Sequence, residues 1–150
     1  MDDPVDPAAY TLDTSAIFAY FADEPGAQEV GRLLTRAEAG HLAAYVSFMT
    51  EMEVLYRVWR GLGEQAGKAA YLRLKALPVR RLELSEPLLI AAARIKATHE
   101  LSVADAWIAA TALTTASTLV HKDPEFRPLG GEVPLLELPF KAARGRTRRR

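Results

Sequence analysis

The chain contains no cysteine. That excludes disulfides and thiolate metal sites, and it fits a reducing cytosol. No apolar run approaches the ~18–20 residues that a bilayer-spanning helix requires. The first residues, Met1-Asp2-Asp3-Pro4, lack the basic-then-apolar order of a secretory signal. No membrane association and a cytoplasmic location are therefore expected. Histidine is scarce: His41, His99 and His121 are scattered and show no zinc-ligand spacing. Formal net charge is also absent, but the charge is unevenly spread. Six of the 19 basic residues fall in Lys141–Arg150, which holds no acid. The rest of the chain carries 13 basic against 19 acidic residues, a net charge of −6.

What is present suits one compact unit. The 150 residues are 49% hydrophobic, enough for a sizeable core, and no repeat or linker divides them. Residues 1–140 are expected to form the domain, with 1–8 as a loose leader. Residues 141–150 are expected to be a disordered basic tail that attracts phosphates without specificity.

Periodicity and punctuation give the elements. Ala9 to Leu12 reads as a short strand, and Ser15 can cap a helix through Phe21. Ala27 to Ala39 places Val30, Leu33, Leu34 and Ala37 on one helical face, with Gly40 as a stop. His41 to Val46 reads as a strand. Helices are predicted from Ser47 to about Arg60, over Glu64 to Leu77, from Ser85 through Ala97 and over Val103 to Thr115. Strands are predicted over Val79 to Leu84 and Thr118 to His121, with an edge strand over Leu135 to Leu138 between Pro134 and Pro139. This alternation argues for an α/β fold: a three-layer sandwich whose mainly parallel central sheet is flanked by helices. Ligands of such sheets gather at the carboxyl ends of the strands.

Four acids stand where strands hand over to helices or loops: Asp13, Glu53, Asp105 and Asp123. Each also has an ordinary structural explanation. Asp13 is a natural N-cap ahead of Thr14 and Ser15. Glu53 can pair with Arg57 one turn on, and Glu51 is its rival in the same segment. Asp105 occupies the capping-box position behind Ser102. Asp123, before Pro124, is a standard turn starter, and Glu125 beside it is either a loop charge or an outer ligand. A carboxylate beside buried hydrocarbon is costly unless paired. If the fold gathers all four, a hard divalent cation is the natural neutraliser. Hydroxyls at Thr14 and Ser15 can orient a ligated water. His121 is assigned a structural or substrate-contacting role.

Four segments in this order resemble the PIN-domain ribonucleases, of the kind found as the toxin of VapBC toxin–antitoxin pairs. They are Leu12-Asp13-Thr14-Ser15-Ala16, then Ser47 with Glu53-Val54-Leu55-Tyr56-Arg57, then Ala104 to Ala112 around Asp105, then Leu119-Val120-His121-Lys122-Asp123-Pro124-Glu125-Phe126. The resemblance runs from about Tyr10 to Leu138. One departure is His121, where many members carry Thr or Ser.

The resemblance implies a metal-dependent endoribonuclease, the toxin of a type II toxin–antitoxin pair. Asp13, Glu53, Asp105 and Asp123 would be both catalytic and metal-binding, holding Mg2+ or Mn2+ that activates a water against an RNA phosphodiester. Arg57, Arg60 and Lys122 are the expected RNA contacts, while Trp107 and Tyr56 either stack on bases or belong to the core. A cognate antitoxin would lay its tail over the active groove. A homodimer is also implied, for which exposed Phe18, Tyr20 and Phe21 could serve. Two rivals share the same residues. One is a metal-dependent DNA nuclease or phosphatase on the same acids. The other is a non-catalytic binding module in which the acids are only caps and turns.

Overall fold

The computed structural model describes residues 9–140; the expected leader, 1–8, and the expected basic tail, 141–150, lie outside the described residues. Strand β1 (Ala9–Leu12) leads into helices α1 (Thr14–Phe21) and α2 (Ala27–Glu38). Strand β2 (Ala43–Ser47) leads into α3 (Phe48–Leu62) and α4 (Glu64–Lys75). Strand β3 (Arg80–Leu82) is followed by α5 (Glu86–Thr98) and α6 (Val103–Thr114). Strand β4 (Thr118–His121), a 3-10 helix (Pro124–Leu129) and strand β5 (Leu135–Glu137) complete the unit. No described helix is long and apolar enough to cross a membrane.

The strands form one sheet in the order β3-β2-β1-β4-β5. Every neighbouring pair is parallel, so the sheet is parallel throughout and not only in the main. The chain first builds outward from β1 through β2 to β3. It then returns through α5 and α6 to the other side of β1. Right-handed crossovers in opposite directions place their helices on opposite faces. Two core clusters record this. Tyr10, Leu12, Val46 and Val120 pack with Ile17, Val30, Leu34 and Leu74 on one side. Leu119 packs with Leu88, Ile95, Ile108, Phe126 and Leu129 on the other. Adjacent Leu119 and Val120 serve opposite clusters, as the two-residue period of a strand demands. The result is the expected three-layer α/β sandwich.

Several boundaries differ from the sequence reading for local reasons. Helix α1 starts two residues early, because Asp13 and not Ser15 is the cap: its side chain accepts from Ser15 N at 3.1 Å. Strand β2 runs Ala43 to Ser47, in register with β1 from Ala9↔Ala43. Strand β3 is cut to three residues, because β2, its sole neighbour among the described residues, ends at Ser47, opposite Leu82, and turns into α3. Phe18, Tyr20 and Phe21 are only half exposed and lean on the core cluster of their face, since an eight-residue helix packed on a sheet has little free surface.

Two glycines fix how helices approach. Gly26 turns α1 into α2 at φ +96°, and a Cβ there would stand 2.9 Å from Leu138 Cβ. That contact lays the α1–α2 turn over the carboxyl end of β5. Gly67 lets α4 pack directly on α3, where a Cβ would come 2.8 Å from the Leu55 carbonyl oxygen and 2.8 Å from Trp59 Cβ. Overpacking of this kind costs about 1–3 kcal/mol, against the ~1 kcal/mol that alanine gains over glycine in a helix. Gly67→Ala is therefore expected to lower stability by roughly 1 kcal/mol. Urea unfolding would show this as a lower midpoint at unchanged slope; an unaltered midpoint would mean that α3 and α4 are less closely apposed.

Candidate active site

In a parallel sheet all carboxyl ends lie along one edge, and a cleft opens where the strand order reverses. Here the reversal falls between β1 and β4, which pair from Tyr10↔Thr118 to Leu12↔Val120. Asp13 follows β1 directly, and Asp123 lies two residues beyond β4. Helices α1, α3 and α6 each begin at this edge, capped by Asp13, Ser47 and Ser102. Glu53 sits on the inner face of α3 and Asp105 in the first turn of α6. The edge thus collects all four sequence-predicted acids.

Asp13 is 4% exposed. Its Oδ2 accepts from the Ser15 amide at 3.1 Å and, in a short bond, from the Ser15 hydroxyl. Ser15 Oγ in turn accepts from Lys122 N at 3.0 Å, which ties the end of β4 to the start of α1. Burial pushes the Asp13 carboxyl up to about 6; the Ser15 bonds oppose the shift and neighbouring Glu53 adds to it.

Glu53 is 6% exposed, and both its oxygens are engaged. The Thr14 hydroxyl donates to Oε1 at 2.9 Å and lies 3.1 Å from Thr50 Oγ1. Arg57 Nη2 donates to Oε2 at 2.8 Å. The i,i+4 pair foreseen as a structural alternative is therefore present, and so is the contact with the segment of Asp13. Glu51, the rival acid, points elsewhere and pairs with Arg81 at 2.9 Å. Of the neighbours, Thr14 and Ser15 were legible as hydroxyls beside Asp13. Thr50 was missed; its signal is the one-turn spacing to Glu53 on a helix that starts at Ser47.

Asp105 experiences the most crowding. Burial first, then the charges of Asp13, Asp123 and Glu53, push its carboxyl up to about 7. One carboxylate oxygen each from Asp105, Asp123 and Glu125 lie within 4.8 Å of one another. Glu125 is thus brought beside the predicted acids. Pro124 starts a 3-10 turn, and the Glu125 amide donates to Asp123 Oδ1 at 2.9 Å, folding the two acids together. The donor set is all oxygen and anionic, which fits a hard divalent cation such as Mg2+ or Mn2+ and does not resemble a zinc site.

The basic residues differ. Arg57 is half exposed and lies over the Phe18 ring as well as beside Glu53. Arg60 lies over the Tyr56 ring, 5.4 Å from its centroid. Lys122 points inward: its ammonium donates to the Pro25 carbonyl at 2.9 Å and pairs with Glu24 at 3.4 Å, leaving the side chain 10% exposed. It braces the α1–α2 turn rather than facing a phosphate. Trp107 packs edge-on against Phe48, with ring centroids 5.2 Å apart. His121 is fully buried against Phe126; its Nδ1 accepts from Asp123 N at 3.1 Å. Burial holds this imidazole below its ordinary pKa, which favours the neutral ring.

The model of the PIN domain matches residues 10–132 of the chain. No curated protein matches it by sequence. Among solved structures, the fold is similar to a VapBC complex from Rickettsia felis bound to a DNA fragment from its promoter, at 15% identity and a TM-score of 0.71, covering 87% of this chain and 99% of that one. It is similar to a VapBC complex from nontypeable Haemophilus influenzae, at 20% identity and a TM-score of 0.67, covering 86% and 97%. A sarcin–ricin-loop-cleaving VapC toxin from Mycobacterium tuberculosis gives 20% identity and a TM-score of 0.61, covering 81% and 95%. At these identities the likeness is one of fold.

The crowding has a measurable consequence. Asp13 and Asp105 hold their protons to higher pH in the folded protein than in the unfolded chain, so folding takes up protons. Their contribution to stability is complete below the ordinary value of 3.8 and is lost as pH rises through about 6 and then about 7. In chelator, Asp105→Asn is expected to be more stable than the wild type at pH 8, by about 1 kcal/mol after allowance for solvent screening of this half-buried group. The melting point should rise by roughly 2–4 °C. The gap should shrink as pH falls through about 7 and be gone below the ordinary value of 3.8, where the carboxyl is neutral in the folded and the unfolded chain alike. A variant no more stable than wild type at pH 8 would show that the four charges are not mutually destabilising.

Proposed function

The chain belongs to the PIN-domain family, and on that premise we propose that it is a metal-dependent endoribonuclease, the toxin of a type II toxin–antitoxin pair. The observation that carries this reading is the gathering of anionic oxygens at the switch point, with Asp105 raised to about 7 by burial and by the charges of Asp13, Asp123 and Glu53. Asp105, Asp123 and Glu125 supply oxygens close enough to share one cation, with Asp13 beside them. When bound, Mg2+ or Mn2+ supplies Lewis acidity to the phosphodiester and to the attacking water. The reaction is hydrolysis: a water oxygen bonds to phosphorus, a ribose oxygen leaves, and no side-chain nucleophile is needed.

The chain's own residues divide the remaining work. Thr14 and Arg57 hold Glu53 in a single orientation facing the cluster. Arg57, half exposed, also offers N–H groups to an incoming phosphate, and Arg60 lies one turn further along the same helix face. The carboxylates repel RNA phosphates until they are neutralised, so backbone binding at this edge depends on the cation. The partners proposed are RNA, a cognate antitoxin and a second copy of the chain, in the cytoplasm. The similarly folded proteins from Rickettsia felis and Haemophilus influenzae are VapBC complexes, and the Mycobacterium tuberculosis toxin is one that cleaves the sarcin–ricin loop.

The test uses the purified full chain with matched RNA and DNA substrates. RNA cleavage should appear with Mg2+ or Mn2+ and vanish in chelator. Asp13→Asn and Asp105→Asn should each lower the rate at least about 100-fold, by analogy with the loss of an electrostatic stabiliser, while retaining the wild-type circular dichroism spectrum. Cleavage of DNA in preference to RNA would move the assignment to a DNA nuclease. Undiminished cleavage in chelator, or by both variants, would end it.

A further inference from the structure

His121 closes β4 and faces away from Val120, so its ring enters the cluster that holds Phe126. It is 0% exposed. Its one side-chain hydrogen bond among the described residues is from the Asp123 amide to Nδ1, at 3.1 Å. A backbone N–H can only donate, so Nδ1 is the bare nitrogen and the ring proton resides on Nε2. Nε2 is buried and has no hydrogen-bond partner among the described residues. For packing alone, this ring is a poor choice: an apolar side chain fills the same space without stranding an N–H. What the imidazole supplies, and leucine cannot, is the acceptor for Asp123.

That acceptor acts at a sensitive place. Asp123 has extended backbone angles, φ −107° and ψ 115°, at the step from strand to 3-10 helix. Its amide is held by His121 and its Oδ1 by the Glu125 amide at 2.9 Å. With both anchors in place the residue has one orientation, which brings a carboxylate oxygen within 4.8 Å of those of Asp105 and Glu125. Remove the first anchor, and the peptide unit between Lys122 and Asp123 loses the bond that fixes its N–H, so the aim of the carboxylate loosens although Lys122 N and Asp123 O keep their bonds to Ser15 Oγ and Phe126 N.

We propose that His121 is a positioning residue for the cation site: Nδ1 accepts the Asp123 amide and so aims the Asp123 carboxylate into the cluster. The proposal rests on the metal-dependent reading above, and it assigns a role to the position where this chain carries imidazole in place of a hydroxyl. An outer partner of this kind is typically worth ten- to a hundredfold in metal affinity.

The test is a Mn2+ titration followed by electron paramagnetic resonance on three full-length proteins. His121→Asn keeps an acceptor oxygen near the place of Nδ1, and His121→Leu removes it. Wild type and His121→Asn should bind Mn2+ within about threefold of each other, and His121→Leu should bind roughly ten- to a hundredfold more weakly. Full affinity in His121→Leu, or equal loss in both variants, overturns the proposal. A wild type that takes up no Mn2+ removes the metal reading and this proposal with it, whereas wild-type uptake with an unimpaired leucine variant removes this proposal alone. Should His121→Leu fail to fold, the wild-type ring decides through its long-range 1H–15N spectrum: a proton on Nε2 supports the role, and a proton on Nδ1 overturns it.

Discussion

Repulsion among like charges at the edge between β1 and β4 is the constraint around which the molecule is arranged. Asp13, Glu53, Asp105 and Asp123 come from four separate stretches of chain; Asp13 and Glu53 are buried and Asp105 and Asp123 half-buried, so water screens them only in part. The fold offsets part of this with what it has. Three helices begin at the edge, and helix N-termini favour negative charge. Ser15 and Thr14 donate to Asp13 and Glu53, and Arg57 neutralises one of the four. Asp105 receives least of this help, and its affinity for a proton shows the remainder. A site left in that condition has an unmet demand for positive charge, and whatever neutralises it in the folded state returns the stability it forgoes.

The supporting bonds also connect the strands to each other. Asp13, Ser15 and Lys122 form a chain of hydrogen bonds from the end of β1 to the end of β4. Lys122 extends it to Glu24 and Pro25, and Gly26 then seats the same turn on Leu138 past β5. The acids therefore stand on a frame that runs across the edge. Their spacing is held by backbone atoms and short side chains, which have little rotamer freedom to lose.

Much of this was legible before any coordinates. The strand–helix alternation gave the α/β sandwich, and Ser47, Ser85 and Ser102 marked helix starts that the structure keeps. For Asp13 and Asp123 the sequence pointed to one edge, because strands end just before them; Glu53 and Asp105 reach it from within α3 and α6. Legibility failed where the answer lay in a partner segment. Strand β3 is short because β2 ends, which no residue of Val79–Leu84 records. Lys122 reads as a surface cation until the α1–α2 turn is seen to supply Pro25 and Glu24. Glu51 stayed a rival of Glu53 in the sequence, and the structure separates them by helical phase: one meets Thr14 and the other meets Arg81. Thr50 carries no charge and no motif; its spacing to Glu53 gives its helix face, but the contact with Thr14 depends on another segment.

A sheet whose strands all point the same way also has a quiet rim. The segment Glu38–His41 enters β2 from that side; it is exposed throughout, and nothing stands within 4 Å of where a side chain at Gly40 would begin. A five-residue strand rises roughly 17 Å between this rim and the acids. A fluorophore or affinity handle spliced in beside Gly40 would therefore sit on the far side of the sheet from the chemistry. The protein could be immobilised or observed from there without touching the edge that gathers the acids.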